Sequence, residues 1–306
     1  MQQTTIRRTT IGDLNLSPGK RSHLRRLLYG AGPGNGTLML LPYDHGIEHG
    51  PIDFLDNPES ADPAYVFSLA VEGTFSGVVT HASLARRYYP EHAGRIPLVV
   101  KVNGRSAIPA DVDPFSPLTG SVEEAALLGA EAVGYSLYVG SPAQDRDIRQ
   151  LTDVRRECER LGLPLIVWSY PRGAPVEEAG GRESLYAVDY AARLALELGA
   201  DVIKINVPRA HKAGASRHPH EYEALEGDDF EMTRRVVASA GRTLVIFSGG
   251  AYKDDAGFLR SVELGMKAGA AGIIAGRNMW QRPRADALSI SRQVHEILTR
   301  FAAAPD

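Results

Sequence analysis

The chain has 306 residues, of which 43% are hydrophobic and 23% charged, and its net charge is −3. That suits one large α/β domain or two smaller ones, and it gives no electrostatic footing for a nucleic-acid or membrane-surface partner. A single cysteine, Cys158, excludes an internal disulfide framework and suits a reducing cytoplasm. It lies in "DVRRECERLG" and reads as a half-buried helix residue rather than a nucleophile. The N-terminal "MQQTTIRRTTIGDLNL" lacks the apolar core of a signal peptide, and no run approaches a membrane span, so a cytoplasmic location is expected.

In chain order, residues 1–37 predict an extension with a helix around "SHLRRLLYG", covering the bottom of the fold or a subunit contact. The first apolar strand is "LMLLPYDHG" (38–46), followed by a helix in "AYVFSLAVEG". A second strand, "GVVTHAS" (77–83), leads into the least clearly marked helix, around "LARRYYPEHAG". Then come "IPLVVKVNG" (96–104) and the helix "SVEEAALLGA", where Ser121 and Glu124 form a capping-box pattern. "LGAEAVGYS" (128–136), the helix "DIRQLTDVRRECERLG" and "LPLIVWSYP" (163–171) follow. After them stand the helix "SLYAVDYAARLALELGA", the strand "LGADVIKIN" (198–206) and the helix "DFEMTRRVVASAG". The chain closes with "TLVIFSGG" (243–250), the helix "GFLRSVELGMKAGA", the strand "AGAAGIIAG" (268–276) and the helix "ADALSISRQVHEILTRFAAA" (285–304).

A repeat organises these elements. Gly129, Gly199 and Gly269 recur every 70 residues, each between a helix end and an apolar strand. Seventy residues are two strand–helix units, which gives eight units in all. Continuous apolar strands are expected where both sheet faces are covered. The pattern therefore predicts an α/β fold, a (β/α)8 TIM barrel over 38–306 with the short N-terminal extension 1–37. An open doubly wound sheet is the alternative, but no G-x-G-x-x-G follows the first strand.

In such a barrel the active groups sit at the C-terminal strand ends. Asp44 and His45 end strand one, Lys101 and Asn103 lie on strand three, Trp168 and Tyr170 on strand five, and Lys204 and Asn206 on strand six. Alternation puts Val202, Lys204 and Asn206 on one face and Ile203, Ile205 and Val207 on the other, so Lys204 points into the barrel. A lysine among isoleucines is either ion-paired or an amine able to lose its proton and attack a carbonyl. Ser248-Gly249-Gly250 after strand seven and Gly276-Arg277 after strand eight fit a phosphate grip, with tight turns and a surface arginine as the other reading. Paired at neighbouring strands, they favour a phosphorylated ligand.

The motifs "YDHGIEHGP", "VKVNG", "VWSYPRG", "IKIN", "FSGG" and "GRNMWQR" occur in that order, over roughly residues 38–298. In this the sequence resembles the archaeal-type class I fructose-bisphosphate aldolases. These belong to a wider group that also holds 2-amino-3,7-dideoxyheptulosonate synthases and a thiolase of signalling-sugar breakdown. "WSYPRG" with "EHGP" favours the aldolase branch. The resemblance implies a TIM barrel, no metal or other cofactor, and reversible cleavage of fructose 1,6-bisphosphate. It implies that Lys204 forms the Schiff base, Tyr170 transfers the proton and Asp44 assists. Phosphate contacts carry over to Ser248, Gly249, Gly250, Gly276 and Arg277. Trp168 would wall the pocket, and Lys101 would be either a cation beside Lys204 or a phosphate or structural contact. A homo-oligomer, often a decamer in the family, is also implied. "THASLARRYY" after strand two and the long "VPRAHKAGASRHPHEYEALEGDD" after strand six are closer to longer bacterial members.

Three rival readings stand beside this one. His45 and His49, four apart, would suit zinc if helical, giving metal-dependent chemistry. Gly46 argues instead for a loop, with the histidines hydrogen-bonding substrate or shaping that loop. A Schiff base could also serve transaldol or thiolase chemistry, and a barrel can bind sugar phosphates without catalysis.

Overall fold

The computed structural model describes residues 7–108 and 114–303; residues 1–6 of the extension, and Ala304 at the end of the last expected helix, lie outside them. Eight strands, β1 (Leu38–Tyr43), β2 (Gly77–His81), β3 (Leu98–Lys101), β4 (Ala132–Val139), β5 (Leu165–Pro171), β6 (Val202–Ile205), β7 (Leu244–Ser248) and β8 (Gly272–Ile274), form a closed barrel in sequence order. Every pairing is parallel, and β8 closes on β1 with Leu38 opposite Gly272. This is the expected (β/α)8 barrel.

The repeat has a local cause. Gly129, Gly199 and Gly269 have φ of 71°, 86° and 99°. In each case the following alanine N–H bonds to the carbonyl five residues back, Ala130 to Ala125, Ala200 to Ala195 and Ala270 to Gly265, at 3.0–3.1 Å. That is the glycine-terminated helix end in which only glycine takes the left-handed conformation without strain. It turns the chain directly into β4, β6 and β8. At the other end, helices Val122–Leu127, Leu185–Glu197, Asp229–Ser239 and Asp255–Lys267 are capped by the side chains of Ser121, Ser184, Asp228 and Asp254. The Ser121–Glu124 capping box is present in both directions. The weakly marked helix after β2 is short, Ala82–Tyr88.

The extension seals the barrel from below. Ser17 caps helix Pro18–Tyr29, whose Leu24, Leu27 and Leu28 join Leu38, Val99, Ile166 and Val202 in one apolar cluster. Lys20 at its start is buried and ion-paired to Asp201, at 2.8 Å, and to Glu159. Asp201 also accepts the Leu165 N–H, so this lysine ties the helix to the entries of β5 and β6. Cys158 is fully rather than half buried, and burial pushes its thiol up to about 12, far from a reactive thiolate.

The alternation on β6 follows the expected parity. Val202 lies in the inner cluster, while Ile203 and Ile205 lie in the outer layer between strands and helices. Among the described residues no helix is long and apolar enough to cross a membrane.

Candidate active site

Lys204 stands inside the barrel with 5% of its surface exposed, beside Trp168 in the β5–β6 register. Its Nζ lies 5.2 Å from the Trp168 ring centre and 5.4 Å from that of Tyr170. Among the described residues it makes no ion pair; two π faces that attract a cation only modestly lie beside it, with Asp44 and His45 near enough to feel its charge. The indole fits because β4 has Gly134 beneath it. A Cβ there would come within 2.6 and 2.7 Å of the Trp168 ring.

Lys101 is placed differently. Its ammonium is buried 2.6 Å from Asp44 and 3.2 Å from Glu48, and 5.7 Å from the Trp168 ring centre. Two carboxylates neutralise it, and it does not line the cavity. Burial alone would raise the Asp44 carboxyl, but Lys101, His45 and Lys204 outweigh it and hold Asp44 well below the usual carboxylate range. Glu48 is lowered in the same way, with Lys101 overcoming burial. Burial works against the Lys101 charge, yet Asp44 and Glu48 raise it above the ordinary lysine value.

Glu48 reaches this cluster because residues His45–His49 form a short helix rather than the expected loop. One turn separates Asp44 from Glu48, and the glycine at 46 is tolerated within that turn. The helix sets the two histidine rings 5.7 Å apart. His49 Nδ1 is 2.6 Å from Asp53, and His45 Nδ1 is 3.4 Å from Asp44. Burial, with help from Lys204 and Arg277, lowers His45 to about 4 and keeps it neutral at pH 7.

Across the mouth, the Gly249 N–H is used by the barrel, bonding to Ile274 O at 2.9 Å, and the Gly250 N–H bonds to Ser248 Oγ at 3.2 Å. Gly276 is packed so closely that a Cβ would lie 2.7 Å from His45 and 2.9 Å from Pro42 O. Arg277 follows it, and its buried Nε has no hydrogen-bond partner. Of the expected grip, then, the N–H groups of Gly249 and Gly250 are both bonded within the protein, and the Arg277 Nε is the group without a partner.

These groups enclose one cavity of about 280 Å³. Asp44, His49, Trp168, Tyr170, Lys204, Ser248, Gly249, Gly250, Gly276 and Arg277 all line it, and Lys101 on β3 and Asn103 just after it do not. The sequence over residues 38–282 matches the family of DeoC/LacD aldolases. The chain belongs to the DeoC/LacD aldolase family. It is 42% identical over 264 residues to a class 1 fructose-bisphosphate aldolase of Thermoproteus tenax, covering 86% of this chain and 90% of that protein. It is 35% identical over 248 residues to one from Halobacterium salinarum, covering 81% and 86%. It also superposes, with a TM-score of 0.76 and 39% identity, on a solved archaeal fructose-1,6-bisphosphate aldolase whose catalytic lysine is covalently bound to the carbinolamine intermediate of its substrate. That match covers 90% of this chain and 99% of the other.

The cavity of this DeoC/LacD aldolase also contains Glu48, Arg172, Arg182 and Glu183, which sequence reasoning did not single out. Glu48 had a signal, its spacing of four from Asp44. Arg172 follows directly on "WSYP", and its guanidinium lies 5.2 Å from the Tyr170 ring centre. Arg182 and Glu183 sit in "EEAGGRESLY" and carried none. Asn103, a strand-end residue, serves structure: it bonds both the N–H and the carbonyl of Ser136 and clamps β3 to β4.

Proposed function

We infer that this chain is a class I aldolase that reversibly cleaves fructose 1,6-bisphosphate to dihydroxyacetone phosphate and glyceraldehyde 3-phosphate through a Schiff base on Lys204. The observation that carries this reading is the placement of Lys204. It is a barrel-interior lysine without an ion pair, opening on a cavity that also presents Tyr170, Asp44 and Arg277. The likeness to relatives named class 1 fructose-bisphosphate aldolase supports the choice of sugar.

The unprotonated Lys204 amine adds to the ketone carbon, the carbinolamine hydroxyl takes up a proton from solvent and leaves as water, and a protonated imine remains. Tyr170 takes the proton of the hydroxyl two carbons away. The carbon–carbon bond between them breaks, its electrons move into the imine, and the aldehyde departs. Tyr170 then returns its proton to the enamine carbon, and water releases the ketone. Asp44, held ionised, orients the amine and offers a fixed negative charge to the cationic imine. Ser248, Gly250 and Arg277 receive one phosphate. Arg172 and Arg182, three strands round the barrel, supply charge for the second. Trp168 keeps bulk water from the amine. The Schiff base and these residues need no metal or cofactor in this scheme. We further propose a cytoplasmic location, from the cysteine usage and the N-terminal sequence, and a homo-oligomer, as the resemblance implies.

The test is borohydride reduction in the presence of dihydroxyacetone phosphate, followed by peptide mass mapping. A stable adduct on Lys204 is expected. Binding without an adduct would leave a sugar-phosphate-binding barrel, and an adduct on another lysine would remove Lys204 from the reaction. Tyr170→Phe should still be trapped but should cleave about 10²–10⁴-fold more slowly; near-normal turnover would take the phenol out of the proton path.

A further inference from the structure

The long segment after β6 carries a side-chain cluster remote from Lys204. His211, His218 and Glu226 present three donor atoms that lie within 4.8 Å of one another. We propose that these residues form a binding site for one divalent transition-metal ion, zinc foremost, that cross-links this loop beside the rim of the active cavity.

The hydrogen-bonding of His218 carries the proposal. Its Nδ1 lies 3.2 Å from the Ala179 carbonyl, which only accepts, so this nitrogen bears the proton and Nε2 bears the lone pair. The side chain is 2% exposed, and Nε2 is buried with no hydrogen-bond partner. What faces it is Glu226 Oε1, at 3.6 Å, another lone-pair bearer and too far for a hydrogen bond. Glu226 Oε1 also accepts the His211 backbone N–H at 2.9 Å, and a proton or a metal ion would join it to the buried His218 Nε2. A neutral imidazole whose other N–H is fixed by a backbone carbonyl is the usual arrangement of a metal-bound histidine.

His211 completes the set. Its ring stacks on that of His218 at 4.0 Å, and its Nδ1 is 2.9 Å from Glu226 Oε2. Two imidazoles and a carboxylate suit zinc, with water as a fourth ligand. Ligand atoms on a tetrahedral zinc stand roughly 3.3 Å apart, and the two stacked rings lie 11° from parallel, so capture of the ion turns one imidazole out of the stack to aim both lone pairs at the metal.

The loop is already laced to the cavity rim. Arg209 exchanges backbone hydrogen bonds with Glu183 and Leu185, Lys212 N–H bonds to Gly180 O, and Arg217 N–H bonds to Glu178 O. The laced segment carries Arg182 and Glu183 into the cavity. An ion at His211, His218 and Glu226 would lock the far end of the same loop.

The experiment uses tag-free, full-length protein stripped with a chelator and titrated with zinc by equilibrium dialysis, alongside His218→Ala and the conservative Glu226→Gln. One zinc per chain is expected, with affinity reduced roughly 100-fold or more in either variant, since even outer-shell partners cost 10–100-fold. Zinc should also slow proteolysis within residues 207–228 of the unaltered protein. Should His218→Ala fail to fold, Glu226→Gln decides. Absence of saturable binding overturns the site. Stoichiometric zinc retained by the variants places the ion elsewhere and overturns it equally. Bound zinc without proteolytic protection overturns the cross-linking role.

Discussion

Two lysines flank one indole in this barrel and have opposite surroundings. Lys101 on β3 and Lys204 on β6 lie 5.7 and 5.2 Å from the Trp168 ring centre, and both are almost fully buried. Lys101 meets Asp44 and Glu48 at ion-pair distance; Lys204 meets aromatic rings. The first is therefore an ordinary paired charge whose loss would strand two carboxylates. The second has no carboxylate at ion-pair distance among the described residues. Burial alone does not distinguish a structural lysine from a nucleophile; the partners within 4 Å do.

The largest expected effect separates them most cleanly. Lys204→Met keeps the side-chain length and removes the amine. Fructose 1,6-bisphosphate cleavage should fall by at least about 10⁴-fold, as when a covalent nucleophile is deleted, while urea unfolding shows equal or greater stability. Lys101→Met should do the reverse in stability, losing roughly 3–5 kcal/mol because a buried pair is broken from one side. A Lys101→Met protein as stable as the parent, or a Lys204→Met protein that unfolds early, would erase the distinction.

A smaller effect lies beside Asp44. Burial lowers His45 to about 4 from the ordinary 6.5. Between those values the unfolded chain binds more protons than the folded one, so stability should rise with pH over that window and fall on acidification. The loss should be on the order of 3 kcal/mol and level off below about pH 4. Urea unfolding of the parent and of His45→Gln at several pH values isolates this slope. Identical slopes in the two proteins would show that the ring titrates normally.

Much of the pattern was legible because it is local. The 70-residue glycine repeat encodes a helix end that only positive φ satisfies, and period-two alternation on β6 put Lys204 inside the barrel. The partners of the lysines were not legible. Whether Lys101 is neutralised depends on Asp44 and Glu48, 57 and 53 residues away, brought in by a five-residue helix that Gly46 disguised as a loop. Gly249 and Gly250 look alike in sequence, yet the N–H of Gly249 bonds across the barrel to Ile274 and that of Gly250 bonds locally to Ser248 Oγ, because only closure of β7 on β8 decides which carbonyl lies within reach.

The smallest change sharpens the comparison at its shared wall. Gly134→Ala adds one methyl group on β4, within 2.6–2.7 Å of two atoms of the Trp168 ring. Neither the strand backbone nor the rigid indole can yield without repacking, so about 1–3 kcal/mol of stability should be lost in urea unfolding. The functional consequence discriminates further. If the indole holds Lys204 in position and keeps water from it, the rate of borohydride trapping with dihydroxyacetone phosphate should fall together with kcat/KM. The Lys101 pair, anchored by two carboxylates on its other side, should stay intact, so the variant should remain far more stable than Lys101→Met. An unchanged trapping rate in a destabilised Gly134→Ala protein would mean that the strand alone positions the amine and that the indole only fills space.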